Sequence, residues 1–188
     1  MPLEQNIWND ENLVKVLKEN SVAVMPTDTL YGVVGRAENK NVVERIYKIR
    51  KRNPEKPCII LIGDTGELQK FGIVLTSKQK KEIKKYQEPT SFVLDCPNEK
   101  FAYLHRGTKT LAFRIPSQKS LRELLLKTGP LIAPSANPEA LLPAETISEA
   151  KKYFGDSVDL YIDGGKLSGK ASKIIKLNKD GSISIIRP

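Results

Sequence analysis

Two hydroxyl-rich turns and one short run of cations are the groups in this sequence best suited to chemistry. The first turn holds Thr27, Asp28, Thr29 and Tyr31 directly after Pro26, and the second holds Ser135, Ala136 and Asn137 directly after Pro134. Between them in the chain stand Arg50, Lys51, Arg52 and Lys56. Phosphate recognition needs fixed cations together with neutral donors, and these three segments supply both kinds. The combination points to an anionic ligand. Taken alone, the cations also suit a helix end, where the macrodipole favours positive charge.

Other chemistries find less support. His105 is the only histidine, which argues against His-based metal clusters and Ser-His-Asp catalysis. The stretch from Gly164 to Ala171 comes within one residue of a phosphate-binding Walker loop. Its last position carries Ala171 where magnesium needs a hydroxyl, and a strand rather than a helix is predicted to follow. We read Gly164-Gly165 instead as a tight turn or a close backbone approach.

The elements that must position these groups follow from periodicity and capping. Asp10 is placed to cap a helix to residue 20, and residues 22–25 read as a buried strand running into the first turn. Asn39 or Asn41 can cap the next helix, with Val42, Ile46 and Ile49 on one face and Arg45, Lys48 and Arg52 on another. Asn53-Pro54 stops it, and residues 58–62 form the next strand. Thr76 and Gln79 form a capping box for a lysine-rich helix, read as a solvated face. Residues 91–96 and 110–115 read as strands, and Ser117 or Ser120 as the cap of a helix burying Leu121, Leu124 and Leu125. A strand at 131–133 leads into the second turn, and Thr146 with Glu149 boxes a short helix to Phe154. Strands are predicted at 158–162, 173–177 and 182–186, the last two joined by Asp180-Gly181.

The chain has 188 residues, a net charge of +9 and 39% hydrophobic residues. That is enough for a core of its own, and we expect one domain over 1–188. The basic balance favours acidic partners. Cys58 and Cys96 sit apart in apolar runs, as buried thiols do in a reducing compartment. No apolar run approaches a membrane span, and the first twelve residues, MPLEQNIWNDEN, are too polar for a signal peptide. A cytoplasmic protein without membrane association is expected.

PTDTLYG at 26–32, the basic run before Lys56-Pro57, PTSF at 89–92, LAFRIP at 111–116, PSAN at 134–137 and DGG at 163–165 follow one another in order. In these the sequence resembles the YrdC/TsaC family over most of its length. The resemblance implies an α/β fold: a strongly twisted mixed β-sheet flanked by helices, with a concave, positively charged face. It also implies an L-threonylcarbamoyladenylate synthase of the short form. Such an enzyme makes threonylcarbamoyl-AMP and pyrophosphate from L-threonine, bicarbonate and ATP, for N6-threonylcarbamoyladenosine in tRNA.

By the same resemblance, Arg52 and Lys56, helped by Arg50, clamp the triphosphate as the catalytic cations. Ser91, Ser135, Asn137, Pro143 and Arg187 complete the ATP site, and Thr27, Tyr31, Arg114, Ala133 and Ser172 hold threonine. Mg2+ is expected to bind mainly through ATP's phosphates, and the product to pass to downstream proteins that transfer threonylcarbamoyl to tRNA. The sequence departs from the family pattern at Arg50, where lysine is usual, and at Gln87-Glu88 and Ala171-Ser172-Lys173. Glu139-Ala140 stands where Ser-Gly commonly follows PSAN. If that glycine has positive φ, Ala140 implies a remodelled loop. The competing reading is a non-catalytic module of the same fold that binds double-stranded RNA or tRNA, and weak RNA binding could accompany the synthase. Aromatics at 6% and the lack of an RNP-like run argue against sequence-specific RNA reading.

Overall fold

The computed structural model describes residues 7–188; residues 1–6, half of the polar N-terminal stretch, lie outside the described residues. Helix α1, Glu11–Lys18, starts where expected: the Asp10 carboxylate accepts from the Leu13 amide at 2.8 Å. Strand β1, Ala23–Pro26, is buried throughout. Here the structure differs from the sequence reading. The first hydroxyl turn leads not toward a helix but into strand β2, Tyr31–Arg36, which pairs antiparallel with β1 from Pro26↔Tyr31 to Ala23↔Val34.

Helix α2, Lys40–Ile49, is capped by Asn39 and packs against β2. Gly35 allows that approach, because a Cβ there would lie 2.4 Å from Val42 Cγ1. The helix closes with the Arg52 amide on the Tyr47 carbonyl and the Lys51 amide on the Lys48 carbonyl. Lys51 takes the left-handed position at φ 50°, the place usually given to glycine in this termination.

Strand β3, Ile59–Leu61, is followed by a 3-10 segment at Thr65–Phe71 that periodicity does not predict. Helix α3, Ser77–Ile83, has the Thr76/Gln79 capping box, and all five of its lysine positions at 78, 80, 81, 84 and 85 are exposed or flank it exposed. Strand β4, Thr90–Asp95, and strand β5, Thr110–Arg114, enclose the short helix α4, Ala102–His105. Helix α5, Lys119–Thr128, begins after Gln118 with no side-chain cap. Ser120 lies inside the helix and the Ser117 hydroxyl turns to Gln118, so neither serine caps it.

Strand β6, Leu131–Ile132, precedes helix α6, Ile147–Phe154, capped by Thr146. The Glu149 carboxylate accepts from the Glu145 amide rather than from Thr146, so only half of the expected box forms. Strands β7, Leu160–Tyr161, β8, Lys173–Leu177, and β9, Ile183–Arg187, complete the chain.

The strands form one mixed sheet in the order β7-β1-β2-β6-β3-β5-β4-β8-β9. Alternation along β1 sorts the core onto its two faces. Val22 and Val24 join a cluster with Val42, Ile46, Ala150 and Phe154 of α2 and α6. Ala23 and Met25 join Leu13, Leu17, Leu121 and Leu125 of α1 and α5. Cys58 and Cys96 are both free and buried. Among the described residues no helix is long and apolar enough to cross a membrane.

Candidate active site

One cleft gathers the chemistry-bearing segments. The β1–β2 turn, the end of α2, β3, β5, the turn after β6 and the start of β8 meet around a cavity of about 170 Å³. Thr27, Tyr31, Arg52, Arg114, Ala133, Ser135, Ser172 and Arg187 line it, eight of the residues singled out from sequence.

The turn is fixed from within. Thr27 Oγ1 donates to the Leu30 carbonyl at 2.7 Å and accepts from the Thr29 and Leu30 amides. Arg114, fully enclosed at the end of β5, donates from Nη2 to Asp28 Oδ1 at 2.8 Å and to Thr29 Oγ1 at 3.2 Å. Its Nε and the second oxygen of Asp28 have no hydrogen-bond partner among the described residues. Tyr31 reaches the other way. Its hydroxyl donates to the Gly165 carbonyl at 2.7 Å and accepts from the Gly164 amide at 2.9 Å, tying the DGG segment to β2. Burial pushes the Tyr31 phenol up from its ordinary value. The strap after DGG passes so close that a Cβ on Gly169 would lie 1.8 Å from the Thr29 carbonyl oxygen. Of the Walker-like glycines, Gly165 supplies the turn, at φ 76°, and Gly169 the close approach.

Three guanidinium groups face the cleft. Arg52 donates from Nε to the Lys56 carbonyl at 3.1 Å and from Nη2 to the Pro57 carbonyl at 2.8 Å. Arg187 places Nε and Nη2 on the Ser172 carbonyl at 3.0 and 2.7 Å. Burial, with the charge of Arg114 adding to it, lowers the Arg187 pKa from its ordinary value. Arg114 is itself paired with Asp28, so its charge is partly offset where it faces Arg187. The Ser172 hydroxyl is 2.8 Å from that of Ser91; both serines are buried, Ser172 at the cleft lining and Ser91 behind it.

A family model named Sua5_yciO_yrdC and described as "Telomere recombination" matches residues 15–188. The chain belongs to the Sua5/YciO/YrdC family. Threonylcarbamoyl-AMP synthase of Hahella chejuensis is 30% identical over 165 residues, covering 86% of this chain and 89% of that one. The Bacillus subtilis protein of the same name is 31% identical over 178 residues, which is 92% of this chain and 51% of that protein. The chain thus spans about half the length of the B. subtilis relative. Escherichia coli YciO superposes with a TM-score of 0.80 at 26% identity, covering 98% of this chain and 89% of that one. Pyrococcus abyssi Sua5 complexed with L-threonine gives 0.84 at 24% identity over 98% of this chain and 54% of that one, a likeness of fold.

The remaining residues that the family resemblance proposes stand back from the cleft surface. Arg50 is buried and donates from Nη2 to Asn137 Oδ1 at 3.2 Å and to Ser135 Oγ at 3.4 Å. Burial, reinforced by Arg52, lowers its pKa to about 10, so it stays charged at neutral pH. Asn137 in turn donates to the Pro138 and Leu141 carbonyls. Arg50 and Asn137 thereby brace the second hydroxyl turn from behind. Ser91 lies under Ser172, and Pro143 lies in the segment beyond Asn137, away from the cleft lining. Lys56 is outside the lining as well, with its Nζ 2.8 Å from Glu139 Oε1.

Residues to which the resemblance assigns no ligand role also contribute. Thr29 and Asp28 hold Arg114; their signal was their place inside PTDT. Tyr47, which the sequence reading does not single out, donates to the Lys56 carbonyl at 2.7 Å. Ala140 itself adopts φ 73°, the conformation a glycine would take.

Proposed function

We propose that this chain is a threonylcarbamoyl-AMP synthase, a nucleotidyltransferase acting on L-threonine, bicarbonate and ATP. The observation that carries the reading is the meeting of Arg52, Arg114 and Arg187 with the Ser135 and Ser172 hydroxyls in one cleft. Membership of the family, and relatives of that name at 30% and 31% identity, support it.

In this reaction the threonine amine and bicarbonate give a carbamate and water. A carbamate oxygen then bonds to the α-phosphorus of ATP, the bond to the β-phosphate oxygen breaks, and pyrophosphate leaves. Negative charge grows on the phosphoryl oxygens and the leaving group, so positioned cations supply the catalysis without a covalent nucleophile. Arg52 suits this role. Its two carbonyl contacts fix the guanidinium while leaving part of its five-donor fork for phosphate. The cavity, at about 170 Å³, is smaller than the ~300–1,000 Å³ of sites enclosing drug-sized ligands. It suits the amino acid, held on the Thr27 and Arg114 side, with the nucleotide extending over the open rim past Arg52 and Ser135. Threonine is the ligand of the P. abyssi structure. Magnesium enters with ATP and offsets phosphate charge. The product would pass to proteins that modify tRNA, and a net charge of +9 favours weak, salt-sensitive RNA contact besides.

The test is pyrophosphate release from ATP and magnesium with threonine and bicarbonate each present or withheld. Release that depends on both supports the synthase; release that needs neither would sink it.

A further inference from the structure

Glu139, two residues beyond Asn137, places a carboxylate beside the cations of the α2 terminus. Three contacts hold it. Its amide donates to the Arg50 carbonyl at 2.8 Å, its Oε2 accepts from the Asn53 amide, and its Oε1 accepts from Lys56 Nζ at 2.8 Å. The Lys56 hydrogen bond first, and the Asn53 amide next, hold this carboxyl below the usual carboxylate range. It is therefore ionised at neutral pH and stands as the resident anion of the cluster.

The two partners of the ion pair are unequally anchored. The Lys56 side chain is 61% exposed, against 28% for Glu139. A long, solvated ammonium can swing away without uncovering apolar surface. Glu139 would then remain, held by the Asn53 amide and by its own backbone. Arg52, which lines the cleft, donates to the carbonyl of Lys56 itself, so the Lys56 backbone is held beside a cleft residue and its ammonium hangs within a side chain's length of Arg52.

We propose that Glu139 competes with the phosphates of the incoming nucleotide for Lys56, and so sets how tightly the site takes a triphosphate. This rests on the reading of the cleft as an ATP site. Two effects act in the same direction: Lys56 must leave one anion to serve another, and the carboxylate left behind repels the phosphates. Both weaken with added salt.

Calorimetric titration of a non-hydrolysable ATP analogue with magnesium, at low ionic strength, tests this on four proteins: wild type, Glu139→Gln, Lys56→Met and the double variant. Glutamine keeps an acceptor for the Asn53 amide while removing the charge. Glu139→Gln is expected to bind roughly twofold to fivefold tighter, the range of a partly exposed ion pair. Lys56→Met is expected to bind more weakly, and the gain from Glu139→Gln to shrink in its background. Equal or weaker binding by Glu139→Gln, or a gain undiminished when Lys56 is absent, overturns the competition alone. No binding by any of the four overturns the nucleotide reading together with it.

Discussion

Arg52 keeps its guanidinium at the cleft by donating to two carbonyls of its own chain segment, at Lys56 and Pro57. A cation fixed in this way needs no reorganisation when charge develops on phosphate, and such a group is worth ~3–4 kcal/mol of transition-state stabilisation. Arg52→Ala is therefore expected to slow pyrophosphate release by two orders of magnitude or more. An unchanged rate would leave Arg52 as no more than a helix terminus. Arg50 is a different kind of residue despite standing two positions away. Its buried guanidinium touches Asn137 and Ser135, and its Nε and Nη1 have no hydrogen-bond partner among the described residues. Replacing it with methionine should lower folding stability as well as activity, because Asn137 Oδ1 and Ser135 lose the donor beneath them. Denaturant unfolding of the variant beside Arg52→Ala separates the two: only the Arg50 change should move the midpoint appreciably.

At the level of elements, the features legible in the sequence are those that local hydrogen bonding decides. Asp10, Asn39, Thr76 and Thr146 cap their helices as read, since a short polar side chain and the amide it satisfies lie within one turn. The apolar strands at β1, β3, β4, β5 and β8 were legible for the same local reason. Strand β2 was not, because two glycines and a turn of hydroxyls hide its period, and its pairing with β1 and β6 is decided by tertiary contact. Nor does any local signal reveal that Lys51 and Ala140 hold positive φ. The surrounding structure imposes both conformations: Lys51 turns the chain so that Arg52 faces the cleft, and Ala140 closes the loop that Asn137 ties to the Leu141 carbonyl. A left-handed alanine costs about 1–2 kcal/mol relative to its preferred regions, part of which glycine recovers. Ala140→Gly is expected to stabilise the fold by about 0.5–1 kcal/mol, read as a raised midpoint in urea at unchanged slope.

For the whole molecule, one carboxylate reinforces the backbone pairing at the far edge of the sheet. Asp159 Oδ2 accepts from the Val22 amide at 2.7 Å, and Arg45 forks onto both of its oxygens at 2.6 and 3.0 Å. It thus pins β7 to the start of β1 and to α2. The Arg45 contact first, with the Val22 amide helping, holds the Asp159 carboxyl below its ordinary 3.8. Its folded pKa lies below the unfolded one, so its contribution is complete above about pH 4 and is lost as pH falls through the folded value. Both side chains are more than a third exposed, at 37% and 36%, so solvent screening keeps that contribution to about 1 kcal/mol or less. Wild type is therefore expected to exceed Asp159→Asn in stability at pH 7 and to lose that advantage progressively as pH falls below 3.8 and through the folded carboxyl's own pKa, measured by urea titrations along the pH series.

The contact of Gly169 with the Thr29 carbonyl has a bearing on how the protein is made. Thr27 and Arg187 come from opposite ends of the sequence, and Ser91 of β4 meets Ser172 beside β8. A nascent chain leaving the ribosome completes β1, β2, β4 and β5 well before β8 emerges. Until then β4 is an outer strand with an unpaired hydrogen-bonding edge, the kind of surface to which other chains and chaperones attach. Residues 169–187 both cover that edge and complete the cleft lining, so affinity for substrate and freedom from chaperone capture are expected to appear together during synthesis.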